Sequence, residues 1–255
     1  MIFIKFIMDL SIIIPVFNEV KLLPKILFKI IRDTKKINKE IIIVDDCSND
    51  GSREWLEHIR KRFNNINIKN NKLFFSKTKL SNIKIFLKKK NEGKGSAVKI
   101  GLEKSTKKII VIQDADLEYM PKDLNKMFLR IKNGNADIVY GNRFSFKKNK
   151  YHYFLYAIGN FILSACVSIL YKKRISDVAV CYKMFKKEVI KNLEFISKDF
   201  TFDFEFTSKI LKNKKWKFSE VIISYKGRTF DQGKKISWFD GIKALLVILK
   251  VKFFY

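Results

Sequence analysis

Short apolar runs alternate with amphipathic stretches between residues 10 and 140 of the chain. The runs are rich in β-branched residues, which is typical of strands buried on both faces of a parallel sheet, and they cover 10–14, 41–44, 83–87, 109–112 and 137–140. Apolar side chains at helical spacing predict helices over 21–34, 52–63 and 121–132, and one that ends near residue 104. The alternation predicts an α/β fold with a mostly parallel, doubly wound sheet.

Two other segments lack this alternation. Residues 64–80 are rich in Asn and Lys without a sustained period, and we interpret them as a surface insertion. Residues 221–225 are strand-like and lead toward a basic segment that contains Arg228, Lys234 and Lys235. A cationic group is therefore expected at the end of a late strand.

The apolar run 109–112 leads into two carboxylates, Asp114 and Asp116, separated by one residue. Residues i and i+2 of an extended strand point to the same side, so we expect both to project together at the carboxyl end of the strand, where open α/β sheets bind ligands. Paired carboxylates suit a hard divalent cation, Mg²⁺ or Mn²⁺, held also by the phosphates of a substrate. Two solvated loop acids would have the same spacing, so this interpretation depends on the rest of the chain.

The charge of the chain narrows the possible partners. Lys and Arg number 53 against 25 Asp and Glu, a net charge of +28, which favours nucleic acid, an anionic membrane surface or a phosphorylated substrate. Many lysines lie amid Asn and Ile, and no helix-turn-helix, zinc-finger or RNA-binding signature accompanies them, so we expect no nucleic-acid partner. Three cysteines without C-x-x-C spacing indicate ordinary thiols in a reducing compartment.

Four blocks follow one another along the chain: Pro15-Val16-Phe17-Asn18-Glu19, Asp45-Asp46-Cys47-Ser48-Asn49-Asp50-Gly51, Gly93-Lys94-Gly95 and Asp114-Ala115-Asp116-Leu117-Glu118. Together they resemble the family-2 glycosyltransferases, which are inverting enzymes of the GT-A (Rossmann-like) fold. Blocks at 141–144, 181–186 and 228–235 resemble the dolichyl- or polyprenyl-phosphate mannosyl- and glucosyltransferase branch. The resemblance implies a nucleotide-sugar and metal-binding catalytic domain over 1–185, and an acceptor-side, membrane-contact region over 186–255 in the same globular unit.

The resemblance also implies which residues bind the donor and the metal. The first block would border the base and ribose of the nucleotide, an acid of the second block would hydrogen-bond the base, and the third block would lie beside the nucleotide. The implied nucleotide-sugar residues are Pro15, Phe17, Asn18, Glu19, Asp45, Asp46, Lys94, Gly95 and Asp114. Asp114 and Asp116 would bind Mg²⁺ or Mn²⁺ and the diphosphate, and Glu118, where relatives often have Gln, would complete the metal shell.

A lipid monophosphate as acceptor would be anionic at neutral pH. It therefore requires cations to hold it rather than a general base. The residues that match the family's phosphate-holding positions are Arg143, Arg228, Lys234 and Lys235. The catalytic residues implied by this branch of the family are Asp116, Arg143, Asp177 and Arg228.

A hydroxyl acceptor would require a carboxylate base instead. The candidates are Asp177, Asp203 and Glu205, whose alternative role is that of surface or helix-capping acids. The chain reads Ser-Asp-Val-Ala-Val at 176–180, where relatives often carry another acid after the Asp. The residues alone leave the choice of acceptor open.

Two stretches favour contact with a membrane surface. Residues 153–171 carry no formal charge and approach the about 20 residues of a span, but polar residues interrupt them and both flanks are basic. We therefore predict an interfacial helix over 151–172. Residues 237–255 combine an aromatic start, an apolar centre and three lysines, which also predicts an interfacial amphipathic helix; for both stretches the alternative is a core helix of a soluble domain.

The resemblance implies metal-dependent transfer of a hexose, mannose or glucose, from a nucleotide-diphosphate sugar such as GDP-mannose or UDP-glucose to a polyprenyl or dolichyl phosphate. We expect a cytoplasmic protein, peripheral on the cytosolic face of a membrane. One alternative is a family-2 transferase that acts on a saccharide hydroxyl in cell-surface polysaccharide synthesis. Another is a basic, non-enzymatic membrane- or nucleic-acid-binding module, which paired acids at a strand end argue against.

Overall fold

The computed structural model of the protein describes residues 10–78, 82–144, 154–229 and 238–255. The strands are β1 (Leu10–Val16), β2 (Lys39–Asp45), β3 (Asn65–Lys69), β4 (Lys72–Ser76), β5 (Ile83–Leu87), β6 (Ile109–Ile112), β7 (Ile138–Asn142), β8 (Lys183–Lys186) and β9 (Phe218–Ile222). The helices are α1 (Leu23–Asp33), α2 (Ser52–Arg62), α3 (Lys94–Lys104), α4 (Leu124–Lys132), α5 (Phe154–Tyr171), α6 (Phe202–Lys212) and α7 (Trp238–Phe254). Short 3-10 turns cover Pro121–Asp123 and Lys187–Ile190.

A seven-stranded sheet runs in the order β5-β2-β1-β6-β8-β7-β9. Strands β5, β2, β1 and β6 are parallel, and every residue of β6 is buried, as its apolar run predicts. The predicted mostly parallel α/β fold is confirmed. Because parallel strands end at the same edge, the polar loops after β1, β2 and β6 lie next to one another.

Strand β8 and helix α6 are elements that the apolar pattern did not predict. Strand β8 runs antiparallel between β6 and β7. Its sequence, Lys-Met-Phe-Lys, does not show the apolar run of a buried strand, yet Lys183 at its start is fully buried. The predicted strand over 221–225 is wrong in its bounds. Strand β9 ends at Ile222, and Tyr225 instead forms an isolated bridge with Tyr119.

Most of residues 64–80, which we interpret as a surface insertion, is regular secondary structure. Residues 65–76 form the antiparallel hairpin of β3 and β4. Ile66 is buried, and the Phe75 ring lies 6.0 Å from the rings of Trp55 and Phe63. Apolar and polar residues alternate in β3, but Leu73, Phe74 and Phe75 are consecutive in β4, so the hairpin carries no period of two through both strands.

Helices α5 and α7 lie beside each other, and α7 also packs against α6. Both carry exposed large apolar side chains, with Phe161 at 68% and Leu246 at 61% of full exposure. Across the described ranges, no helix combines the length and apolar character needed to cross a bilayer.

Candidate active site

A cavity of about 940 Å³ opens at the carboxyl edge of the sheet. One half is polar and is bordered by the loops after β1, β2 and β6. The other half extends between α5 and α7 and is bordered by apolar side chains, among them Ala157, Leu163, Phe204, Ile242 and Leu245. The cavity therefore joins a charged region to an apolar passage.

Asp114 and Asp116 lie in the turn after β6, and both border the cavity. The argument that an extended strand aligns them is wrong, because β6 ends at Ile112 and residues 115–116 form a turn. Leu117 has φ +63°, a conformation that bulky residues rarely adopt. It turns the chain so that the Glu118 amide donates to Asp116 Oδ1 at 3.1 Å.

Two cations face these acids. Lys94 Nζ lies 3.0 Å from Asp114 Oδ1, and Arg228 Nη2 lies 3.2 Å from Asp116 Oδ2. Burial by itself would lower the pKa of Lys94, but Asp114 and Asp203 outweigh it and raise that pKa well above its usual value. Lys94 is therefore a fixed positive charge beside Asp114.

The acids after β6 fit a divalent cation by their chemistry. Burial, followed by the charges of Asp114 and Glu118, raises the pKa of Asp116 to about 7, and a bound cation would relieve that repulsion. Within the described residues, no three His, Cys, Asp or Glu side chains converge into a complete metal site. Mg²⁺ commonly takes one or two carboxylates and completes its shell with water and substrate phosphates, which agrees with this partial set.

Side-chain hydrogen bonds join the loop after β1 to the loop after β2. Asn18 Oδ1 accepts from the Asn49 amide at 2.9 Å, and the Glu19 amide donates to Ser52 Oγ at 3.0 Å. Asp45 is fully buried, accepts from the Ser48 amide, and lies 3.3 Å from Arg53 Nη1. Asn18 and Asp45 thus shape these loops without lining the cavity, whereas Pro15, Phe17 and Glu19 line it.

Asp46 connects the loop after β2 to the loop before α3. Its carboxylate accepts from the Glu92 amide at 3.1 Å and the Gly93 amide at 2.7 Å, and it also pairs with Lys88. A Cβ added to Gly95 would lie 2.7 Å from the Phe202 Cβ, so this glycine permits close packing of α3 against α6. Asp46 and Lys94 border the cavity, and Gly95 does not.

Arg143 and Asp177 form a bidentate ion pair at the cavity wall. Arg143 Nε and Nη2 donate to Asp177 at 2.6 and 2.7 Å, and the Arg143 amide and Asn160 Nδ2 donate to the same carboxylate at 3.3 and 2.8 Å. A carboxylate has about four acceptor positions, so Asp177 is fully engaged. Burial alone would lower the pKa of Arg143, but Asp177 outweighs it and raises that pKa well above its usual value.

The other two candidate bases are also held by cations. Asp203 Oδ1 accepts from Lys183 Nζ at 2.8 Å, and Asp203 Oδ2 lies 3.5 Å from Lys94 Nζ. Glu205 pairs with Lys209 at 2.6 Å and accepts from two backbone amides. The alternative role of these acids as surface residues does not hold, since all three are buried.

Arg228 contacts acids of the loops after β1 and β6 in the polar half of the cavity. Its Nη2 donates to Glu19 Oε1 at 2.8 Å and to Asp116 Oδ2 at 3.2 Å, and its amide donates to Glu118 Oε1 at 2.6 Å. The Tyr225 hydroxyl donates to Glu118 Oε2 at 3.1 Å. Lys234 and Lys235, the remaining predicted phosphate-binding residues, lie outside the described residues.

The structure adds site residues that the sequence did not indicate. Asn160 holds Asp177, Lys183 holds Asp203, and the Tyr225 ring lies 5.0 Å from the Arg143 guanidinium carbon. The recurrence of Asn160 and Ser164 one helical turn apart could have indicated a polar face in α5. Lys183 lies in the block 181–186 and Tyr225 in the strand-like stretch 221–225, but neither was singled out as a site residue, because their contacts depend on the packing of distant segments.

Comparisons with known proteins agree with this architecture. The family model described as Glycosyl transferase family 2 matches residues 11–194. An uncharacterised protein of Methanocaldococcus jannaschii is 29% identical over 193 residues, which cover 72% of this chain and 74% of that protein. A dolichol-phosphate mannosyltransferase of Pyrococcus furiosus is 29% identical over 137 residues, which cover 54% of this chain but only 34% of that enzyme.

A solved structure shares the fold. It is the glucosyl-3-phosphoglycerate synthase of Mycobacterium tuberculosis, crystallised with Mn²⁺, uridine diphosphate and phosphoglyceric acid. The two structures superpose with a TM-score of 0.69 at 12% identity, over 96% of this chain and 78% of the synthase chain.

Proposed function

Because the chain belongs to glycosyl transferase family 2, we propose that it is an inverting hexosyltransferase whose acceptor is a polyprenyl or dolichyl phosphate. The donor is a nucleotide-diphosphate sugar, GDP-mannose or UDP-glucose, and the sugar is mannose or glucose. The protein works as a peripheral protein at the cytosolic face of a membrane. The observation that carries the proposal is a cavity that joins two arginines and an acid pair to an apolar passage.

The residues of the polar half suit the donor. Pro15 and Phe17 offer apolar surface to the base, and Asp46 borders the same region. Asp114 and Asp116 would hold a Mg²⁺ or Mn²⁺ ion, which would supply positive charge for the departing diphosphate. The synthase with the same fold was crystallised with Mn²⁺ and uridine diphosphate, which supports a metal-bound nucleotide donor for this chain.

The two arginines suit an anionic acceptor. Arg143 and Arg228 both border the cavity, and two fixed positive charges at one site favour an anionic acceptor over a neutral one. In the reaction, an oxygen of the lipid phosphate attacks C1 of the sugar from the face opposite the diphosphate. The C1–O bond to the diphosphate breaks, the diphosphate leaves with the electron pair, and the configuration at C1 inverts.

The ion pairs of the acids also favour a phosphate over a hydroxyl. A hydroxyl acceptor must lose a proton to a base, whereas Asp177, Asp203 and Glu205 are each held by a cation in the structure. A phosphate monoester carries its negative charge at neutral pH and needs no such base. The dolichol-phosphate mannosyltransferase among the relatives supports this acceptor class.

The apolar passage suits the first isoprene units of the lipid. It leads between α5 and α7, whose outward faces carry Phe161, Ile169, Leu246 and Phe253. A net charge of +28 would attract the chain to an anionic lipid surface, and the apolar faces would enter the interface.

The test begins with a thermal-shift screen of nucleotide sugars in the presence of Mn²⁺, because a ligand that binds only the native state raises the melting temperature. The stabilising sugar nucleotide is then incubated with polyprenyl phosphate, the matching polyprenol, or a saccharide acceptor. We expect mass spectrometry to detect a glycosyl phosphoryl lipid only with the phosphate. Transfer to the saccharide or to the polyprenol, and not to the phosphate, would refute the proposal.

A further inference from the structure

The two faces of helix α5 have opposite surroundings. The inner face carries Asn160, Ser164 and Ser168, each of which accepts a hydrogen bond from the loop of residues 175–179. The outer face carries the exposed apolar side chains of Ile158, Phe161 and Ile169, none of which borders the cavity. Helix α5 is therefore exposed on one side, and on the other it holds the loop of residues 175–179, which contains Asp177.

Asn160 is the contact of this inner face with the ion pair of the site. Its Nδ2 donates to Asp177 Oδ1 at 2.8 Å, and its Oδ1 accepts from the Ala179 amide at 3.2 Å. Arg143 Nη2 donates to the same Asp177 oxygen at 2.7 Å. Asp177 is fully buried, so its carboxylate takes its orientation from these donors. A shift of α5 would move Asp177 and, with it, the Arg143 guanidinium.

The outer face of α5 and the basic residues near it are best suited to contact with an anionic lipid surface. Exposed Lys172, Lys173 and Arg174 follow the helix directly, and exposed Lys243 and Lys250 lie on the adjacent α7. Apolar side chains flanked by cations are typical of helices that lie in a membrane interface. A protein partner with an acidic rim is the other occupant, and the vesicle experiment below distinguishes it.

We propose that Asn160 is a positioning residue that transmits membrane contact to the acceptor site. Seating of the outer face of α5 on an anionic lipid surface fixes the helix, and Asn160 and Asp177 then hold Arg143 in place for the acceptor phosphate. This inference rests on the proposed function, because the phosphate is the acceptor assigned there. Asn160 acts through Asp177, since both polar atoms of its side chain are already engaged.

Two consequences separate this role from a purely structural one. Loss of the Asn160 contact should weaken use of the acceptor phosphate and leave the donor unaffected, because the donor residues lie in the loops after β1, β2 and β6. It should also abolish activation by a lipid surface without abolishing binding to that surface, because the outer face of α5 is unchanged.

The test uses the full chain and the variants Asn160→Leu and Ser168→Ala. Leucine has a similar size without hydrogen-bonding atoms, and Ser168 is the matched control, since it contacts the same loop at Ile175 and not Asp177. Transfer to a short, water-soluble isoprenyl phosphate is measured with and without acceptor-free vesicles of phosphatidylglycerol and phosphatidylcholine. We expect the vesicles to raise kcat/KM about tenfold for wild type and for Ser168→Ala. A tenfold change corresponds to about 1.4 kcal/mol of transition-state stabilisation.

Asn160→Leu should bind the vesicles as wild type does, show no activation, and have a KM for the isoprenyl phosphate about tenfold higher with an unchanged KM for the donor. Normal activation of Asn160→Leu, no activation of wild type, or an equal rise in the donor KM would overturn the inference. Should Asn160→Leu melt at a lower temperature than wild type, Asn160→Ser replaces it with the same expected results. If wild type does not use the isoprenyl phosphate at all, both the proposed function and this inference fail. If wild type uses it and Asn160→Leu is activated by vesicles just as wild type is, only this inference fails.

Discussion

Arg228 Nη2 lies 3.2 Å from Asp116 Oδ2, so a residue expected to hold the acceptor phosphate contacts one expected to hold the metal. The guanidinium also donates to Glu19 Oε1 at 2.8 Å. Arg228 therefore supplies positive charge to Asp116 in this arrangement. An acceptor phosphate that meets Arg228 arrives directly beside the carboxylates that we assign to the donor diphosphate, which is the proximity that transfer between two anionic substrates needs.

Substitution of Arg228 by lysine should impair use of the acceptor. Lysine keeps the charge but lacks the planar fork that reaches two oxygen groups at once. We expect Arg228→Lys to raise the KM for the lipid phosphate or lower kcat by roughly tenfold, with little effect on nucleotide affinity. Steady-state kinetics and nucleotide titration on one preparation provide the measurement.

The exposed Arg32, which pairs with its neighbour Asp33, provides a matched control, and Arg32→Lys should behave as wild type. Unchanged lipid-phosphate kinetics of Arg228→Lys would remove Arg228 from the acceptor site. That result would also strengthen the hydroxyl-acceptor alternative.

Substitution of Asp116 by asparagine should abolish most of the metal-dependent activity. Asparagine has nearly the same shape, so the turn at Leu117 and the fold should persist. The metal would lose a charged oxygen ligand, and we expect turnover to fall by about 10²-fold or more. The thermal shift produced by Mn²⁺ with nucleotide should also become smaller.

Asp137→Asn is the control for Asp116→Asn, because Asp137 is an acid paired with Lys186 and does not border the cavity. It should retain both the Mn²⁺ response and the turnover of wild type. Wild-type rates for Asp116→Asn at saturating donor and metal would show that the metal-site assignment is incorrect.

The sequence predicted the parallel half of the sheet well because each strand is an apolar run buried on both faces. The same signal failed for β8, where Lys183 is buried through a contact with Asp203 on a distant helix. A buried lysine looks like a surface residue in any local pattern. The hairpin of β3 and β4 was missed because its apolar residues keep no single period through both strands, although Phe75 packs on Trp55.

The motifs of the sequence indicated candidate residues for one site but not the contacts among them. The three acids after β6 and the two arginines were singled out from motifs, and all five border one cavity. The pairing of these side chains could not be predicted, because Arg143 and Asp177 are 34 residues apart in the sequence, and Arg228 and Glu19 are 209 residues apart. Such pairings arise only when the sheet order brings separate loops to one edge.

Asp203 should be essential for stability rather than for proton transfer. It lies between Lys183 and Lys94, and removal of one partner from a buried ion pair costs about 3–5 kcal/mol. We expect Asp203→Asn to lower the free energy of unfolding by about that amount in urea denaturation. The double variant Asp203→Asn/Lys183→Met should recover part of the loss, because one uncompensated lysine is then removed.

The pH dependence gives an independent check of Asp203. Burial alone would raise its pKa, but Lys183 and Lys94 outweigh burial and hold the pKa below its usual value. The stabilisation is therefore present above the unfolded pKa of about 3.9 and is lost as the pH falls through the lower pKa of the folded state. Wild-type stability for Asp203→Asn at pH 7, combined with lost activity, would instead identify Asp203 as the general base of a hydroxyl acceptor.

Membrane association should be peripheral and should depend on the outer faces of α5 and α7. Phe161 is 68% exposed on α5, and a carboxylate at that position would oppose both the apolar interface and the anionic headgroups. We expect Phe161→Glu to reduce cosedimentation with phosphatidylglycerol vesicles by about tenfold, whereas Leu129→Glu, at a 51% exposed site on α4, should bind as wild type does.

Binding of wild type should also rise with the anionic lipid fraction and fall with salt, because the screening length shrinks from about 10 Å at 0.1 M to about 3 Å at 1 M. Equal losses for the two variants would show that the effect is not specific to α5, and wild-type binding that resists both 1 M salt and alkaline carbonate would contradict a peripheral attachment.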